Sequence, residues 1–216
     1  MIILGSTHYS SNKLKKIVFF ITLFISFSTY SYAKENYNKN EVDVCVGKLI
    51  SFSIRGDVGG IAEFINHNKN NKRGCSIDSR DGNDLTALMY AATYGHNNVV
   101  VELLKNRANP NLKNKFETTA LMLAAGNGYF EVVTTLLEYR ADPNATNNYG
   151  TTALMLAAGN GYAEVVTALL KNGANPNLED INGMNALFIA KKRNRSNIAK
   201  ILKATEAKTQ NSRRSL

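Results

Sequence analysis

Residues 118–137 read TTALMLAAGNGYFEVVTTLL, and residues 151–170 read TTALMLAAGNGYAEVVTALL. The two segments agree at 18 of 20 positions and differ only at Phe130/Ala163 and Thr135/Ala168. They stand 33 residues apart, and the same step runs through the neighbouring sequence. Thr86-Ala87-Leu88-Met89 precedes Thr119-Ala120-Leu121-Met122 and Thr152-Ala153-Leu154-Met155 in the same frame. The three prolines keep it too, inside Asn109-Pro110-Asn111, Asp142-Pro143-Asn144 and Asn175-Pro176-Asn177. So do Gly95, Gly128 and Gly161. A fixed period of this length marks an array of small units, each too small to bury its own apolar face, that makes its core by stacking.

The residue types within one step predict two helices and two turns. Thr86, Thr119 and Thr152 are placed to cap a short helix, the hydroxyl accepting from a free backbone amide. The run Ala-Leu-Met-x-Ala-Ala follows, and its small side chains let neighbouring helices approach closely. The glycine then ends the helix in a left-handed conformation. A second helix carries apolar pairs at i, i+1, i+4 and i+5, which is one helical face: Val99, Val100, Leu103 and Leu104; Val132, Val133, Leu136 and Leu137; Val165, Val166, Leu169 and Leu170. The segment around each proline turns the chain towards the next unit.

This pattern resembles the ankyrin repeat. The resemblance rests on the Thr-x-Leu start, the Ala-Ala-x-x-Gly helix end, the Val-Val-x-x-Leu-Leu second helix and the Ala-Asn/Asp-x-Asn turn. Two departures recur. Ala87, Ala120 and Ala153 stand where the family has proline, and Met89, Met122 and Met155 where it has histidine, so the familiar Thr–His bond cannot form. The fold expected is all-α: a solenoid of helix-turn-helix units with β-turn tips, about five repeats including divergent caps.

Two weaker units flank the three secure ones. On the carboxyl side, Asn185 replaces the capping Thr, Asn194 takes the glycine position, and Ile198, Ile201 and Leu202 continue the apolar face. On the amino side, Leu49, Gly56, Ile61, Phe64 and Ile65 fit a divergent opening unit, and the polar residues 67–73 read as a surface loop that lengthens its exit. The expected organisation is a signal peptide over 1–33, a linker over 34–44, a divergent repeat with a loop insertion over 45–80, repeats over 81–113, 114–146 and 147–179, a capping repeat over 180–205 and a basic disordered tail over 206–216.

The formal charge of +9 belongs to the ends. Residues 1–33 carry three lysines and no acid, residues 191–216 carry nine basic residues and Glu206 alone, and residues 34–190 hold 14 basic against 16 acidic groups. Each end therefore needs its own reading. Lys13, Lys15 and Lys16 precede an apolar run over 17–27 and then Ser31-Tyr32-Ala33. A basic stretch, a short apolar run and a small-x-small site form a secretory signal. The run falls short of the roughly 20 residues of a permanent span; an uncleaved anchor is the alternative. Export predicts a periplasmic or secreted protein. In an oxidising compartment Cys45, just before the first helix, and Cys75 are candidates for a disulfide, the alternative being two free thiols.

No constellation for catalysis is found. Of the three histidines, His8 lies in the targeting segment, His67 in the loop, and His96 stands where later units have Tyr129 and Tyr162. No nucleophile elbow, phosphate-cradling loop or metal-ligand set is present in the sequence, and no cofactor, metal or small-molecule substrate is expected. By resemblance, the partner is a protein, bound along the concave side through the turn tips and the first helices. Carried onto this chain, that surface comprises Asn83, Leu85, Tyr94, Lys115, Phe116, Asn127, Tyr149, Asn160 and Met184. Phe116 and Tyr149 are the anchor candidates, aromatic side chains that either meet a partner or pack on the neighbouring tip. A rival reading docks the basic carboxyl-terminal tail on anionic lipid or nucleic acid; membrane contact there is expected to be weak, nucleic acid is not favoured, and the protein is expected to be a monomer.

Overall fold

Thr86, Thr119 and Thr152 each have extended backbone and turn their hydroxyl oxygens onto the amides of Met89, Met122 and Met155 at 3.3 Å. The helices so capped are short because Gly95, Gly128 and Gly161 stop each of them at positive φ, 76°, 80° and 98°. The computed structural model describes residues 41–70 and 76–214, and side-chain surroundings for 44–67 and 76–205. Among the described residues there are ten α-helices and no strand, with one isolated bridge between Arg80 and Thr86.

The helices are α1 (Glu41–Arg55), α2 (Val58–Asn70), α3 (Ala87–Tyr94), α4 (Asn97–Lys105), α5 (Ala120–Asn127), α6 (Phe130–Glu138), α7 (Ala153–Asn160), α8 (Ala163–Lys171), α9 (Ala186–Lys192) and α10 (Ser196–Arg214). The chain divides into two units, residues 1–47 and 48–216. The described part of the first is the opening of α1. The second holds the repeats in two layers. First helices pack in the series α3, α5, α7, α9, and second helices in the series α2, α4, α6, α8, α10. Each first helix also packs on its own second helix.

The layers follow from the side chains. Ala91, Ala92, Ala124, Ala125, Ala157 and Ala158 are fully buried, so first helices meet at short range. Val99, Val100 and Leu103, with their counterparts in α6 and α8, fill the space between layers. Each such side chain contributes about 1.5–3 kcal/mol by leaving water. Only the neighbouring unit can supply that burial. Leu170 departs slightly from its column and is half-buried.

Three sets of hydrogen bonds tie one unit to the next. The Asn111 side chain accepts from the Asp142 amide at 2.7 Å and donates to the Arg140 carbonyl at 3.1 Å. Asn144 repeats this one step on, accepting from Asn175 at 2.7 Å and donating to Gly173 at 3.0 Å. Arg80 donates to the Lys113 carbonyl at 3.1 Å, and Lys113 to that of Thr146 at 3.0 Å. The third set joins the turn tips. A side-chain contact accompanies them: the residue after each left-handed helix end, Gly95, Gly128, Gly161 or Asn194, lies against the glycine of the preceding unit. A Cβ on Gly95 would sit 2.8 Å from the Tyr129 ring, one on Gly128 2.5 Å from Tyr162, and one on Gly161 3.1 Å from Arg195. His96 holds the same place over Gly56 and meets the Ile54 carbonyl through Nε2 at 2.9 Å, which makes it a structural spacer.

The flanking units differ from expectation at their edges. Helix α1 begins at Glu41, inside the segment read as a linker, so Cys45 lies within the helix. Helix α2 continues to Asn70, so the polar insertion starts as extra helix before the segment 71–75. Helix α10 runs to Arg214 through most of the segment read as a disordered tail. No glycine or proline stands in the added lengths, residues 41–44, 67–70 and 206–214, and once a helix is nucleated each further residue adds a bond at little cost. Asn194 takes the glycine position with φ 57°, as its residue type allows. The targeting segment and Cys75 lie outside the described residues.

Candidate functional site

Each turn tip is built around one side chain. Asn114 Oδ1 accepts from the amides of Phe116 and Thr118 at 2.9 and 3.0 Å, and Asn147 Oδ1 from those of Tyr149 and Thr151 at 2.9 Å each. Asp81 and Asp180 do the same in the first and last tips. Backbone bonds then link the tips in series: Lys115 to Asn83 at 3.4 Å, Asn148 to Phe116 at 3.1 Å, Ile181 to Tyr149 at 3.0 Å. The Lys115 ammonium reaches back to the Gly82 carbonyl.

This scaffold holds apolar side chains in water. Phe116 is 61% exposed, Tyr149 59% and Ile181 68%. The two aromatics therefore do not pack away on neighbouring tips, and their backbones are fixed before any partner arrives. Asn83 and Lys115 are exposed beside them, while Leu85 and Met184 are half-buried, Leu85 against the core.

Tip and first helix form one surface at its amino-terminal end. The Tyr90 hydroxyl donates to Asp81 Oδ2 at 2.7 Å. Burial, then the Asp81 carboxylate, hold the Tyr90 phenol well above its usual range. Tyr94, half-buried, stacks on His96 with ring centroids 6.3 Å apart, and burial raises its pKa too. Further along, Asn127 and Asn160 are exposed, but their amides are engaged. Asn127 donates to Leu123 at 3.0 Å and to Thr93 at 3.4 Å. Asn160 donates to Gly126 at 2.7 Å and accepts from Arg193 at 3.0 Å. Leu123, Leu156 and Ile189, half-buried, continue the Tyr90 column.

The structure thus groups Asn83, Lys115, Phe116 and Tyr149 as an exposed tip surface, with the Lys115 ammonium held on the Gly82 carbonyl, and makes Tyr94, Asn127 and Asn160 parts of the stack that also reach solvent. Tyr90 and Phe188 were not singled out from the sequence. Tyr90 breaks a column otherwise Leu or Ile, and Phe188 a column otherwise Met, and those breaks are the signals that could have found them. Among the described residues no group of three or more His, Cys, Asp or Glu could hold a metal ion, and no helix is long and apolar enough to cross a membrane.

The family model described as "Ankyrin repeats (3 copies)" matches residues 49–147, 89–180 and 140–213. The chain belongs to the ankyrin-repeat family. Ankyrin repeats generally mediate protein–protein interaction, and proteins built from them are typically scaffolds without enzymatic activity. Comparison with curated proteins returned no match. In this ankyrin chain the histidine of the family pattern is methionine, yet each threonine still caps its helix through the Met backbone amide.

Proposed function

We propose that this ankyrin stack is an exported scaffold that binds a protein partner through its tips and first helices, the concave side in the family. The observation that carries the reading is the exposure of Phe116 and Tyr149, at 61% and 59%, on consecutive tips whose backbone is already tied down. Large rigid aromatics of this kind dominate interface energies. Their main-chain ordering cost has been met by folding. Export rests on the basic, apolar and small-x-small sequence of residues 13–33.

The test is comparative capture. Wild-type chain and the F116A/Y149A variant are used side by side as bait, and a partner retained by wild type alone is then titrated against both. Both side chains point into water, so the variant should keep its helical circular dichroism. The expected loss is about 2 kcal/mol or more in binding, roughly 30-fold in Kd. Equal affinity with an intact fold would rule the tips out.

A further inference from the structure

The last unit carries a second surface, unlike the tips. Met89, Met122 and Met155 occupy one column of the first helices and are 1%, 1% and 2% exposed. The next member is Phe188, which is 52% exposed. Each methionine is followed by another first helix in the series, and α9, which carries Phe188, is the last first helix among the described residues. A capping unit is expected to turn a polar face to water, so a phenyl ring at this place is out of character with a plain cap. Lys191 and Lys192 stand at i+3 and i+4 from it on α9, on the same helical face. Both are exposed, and neither pairs with a carboxylate among the described residues. Arg193 and Arg195, by contrast, are bonded to Asn160 and Gly159.

The charge of the unit is strongly one-sided. Residues 180–205 hold Lys191, Lys192, Arg193, Arg195, Lys200 and Lys203 against Asp180 alone, whereas residues 76–179 hold seven basic against ten acidic groups. An exposed ring among unpaired lysines, on a unit of net +5 that also exposes Ile181 at 68%, is the composition of a surface that enters an anionic lipid interface. A single-stranded nucleic acid asks for successive aromatic platforms between its charges. Phe188 is the one exposed aromatic of this unit among the described residues.

We infer that the carboxyl-terminal unit docks on an anionic membrane surface, with Phe188 inserting and Lys191 and Lys192 meeting headgroup phosphates. The full chain is mixed with vesicles of phosphatidylcholine alone, or of phosphatidylcholine with phosphatidylglycerol, and the bound fraction is measured by co-sedimentation at low and high salt. Binding should require phosphatidylglycerol and fall as salt rises. K191E/K192E should weaken it by at least about 25- to 30-fold, about fivefold for each lysine lost. F188S should weaken it severalfold without changing the salt dependence, and F116A/Y149A should bind as wild type does. The variants alter exposed side chains, and circular dichroism verifies their folds. K191E/K192E and F188S partitioning like wild type would overturn the inference and place any affinity elsewhere, the apolar run at 17–27 included. Displacement from vesicles by a single-stranded oligonucleotide at equal phosphate concentration would overturn it in favour of nucleic acid.

Discussion

Gly128 and Gly173 both hold positive φ, 80° and 86°, but their surroundings differ. A Cβ on Gly128 would come within 2.5 Å of the Tyr162 ring, while one on Gly173 meets nothing within 4 Å. The backbone term, about 1–2 kcal/mol for a left-handed residue, is common to both, and the steric term belongs to Gly128 alone. G173A should therefore lose about 1 kcal/mol in urea denaturation, and G128A clearly more. In a double-mutant cycle, G128A/Y162A should be more stable than the two single losses add up to. Equal costs at the two glycines would show that the ring gives way freely. At Tyr90 the sign concerns pH. Burial and Asp81 favour the protonated phenol, so the folded pKa lies above the unfolded value near 10. The resulting stabilisation is complete below about pH 10 and is lost as pH rises further. Y90F should be less stable at neutral pH, having lost the bond to Asp81. Its deficit against wild type should shrink in alkali, and a deficit constant from about pH 8 to pH 11 would contradict the linkage.

At the scale of elements, the junction between successive units is carried by a few side chains that recur on the repeat step. N144A removes an acceptor from the Asn175 amide and a donor from the Gly173 carbonyl. The loss should be about 1–2 kcal/mol, since each bond nets about 0.5–1.5 kcal/mol. It should also be local: hydrogen exchange should quicken at the Asn175 amide and stay unchanged at Asp142, which is held by Asn111. Unchanged exchange at Asn175 would mean that packing alone holds the junction. Helix starts, glycine stops and the buried face were legible in the sequence because they repeat, and repetition exposes what each position must do. The extra length of α1, α2 and α10 was not, because it falls in units without a copy and nothing in those residues forbids a helix. The Phe116 and Tyr149 column was legible in the same way as the core. The bonds from Asn127 to Thr93 and from Asn160 to Gly126 were not, since a side chain that reaches 34 residues back looks, in the sequence, like any exposed amide.

For the molecule as a whole, the proposed export makes two outcomes testable. The exported protein should begin at Lys34 or within a few residues of it, as amino-terminal sequencing would show. Denatured without reduction, it should hold no free thiol, with Cys45 and Cys75 joined in a monomer. A crosslink closing about 30 residues stabilises by roughly 3.5 kcal/mol in the chain-entropy account. An intact Met1 form held in membranes would support an anchor instead, and two titratable thiols would end the disulfide. The contact of each such side chain with the glycine of the preceding unit also gives the array a direction. Every unit leaves an open notch that its successor fills: Gly56 receives His96, Gly95 receives Tyr129, Gly128 receives Tyr162 and Gly161 receives Arg195. At the next such place stands Asn194, in the same left-handed conformation but with a side chain of its own. An engineered sixth unit spliced on in frame would find that keyhole already plugged. Lengthening the array therefore calls for N194G as well as another 33 residues, and the asparagine works as a full stop written in backbone geometry.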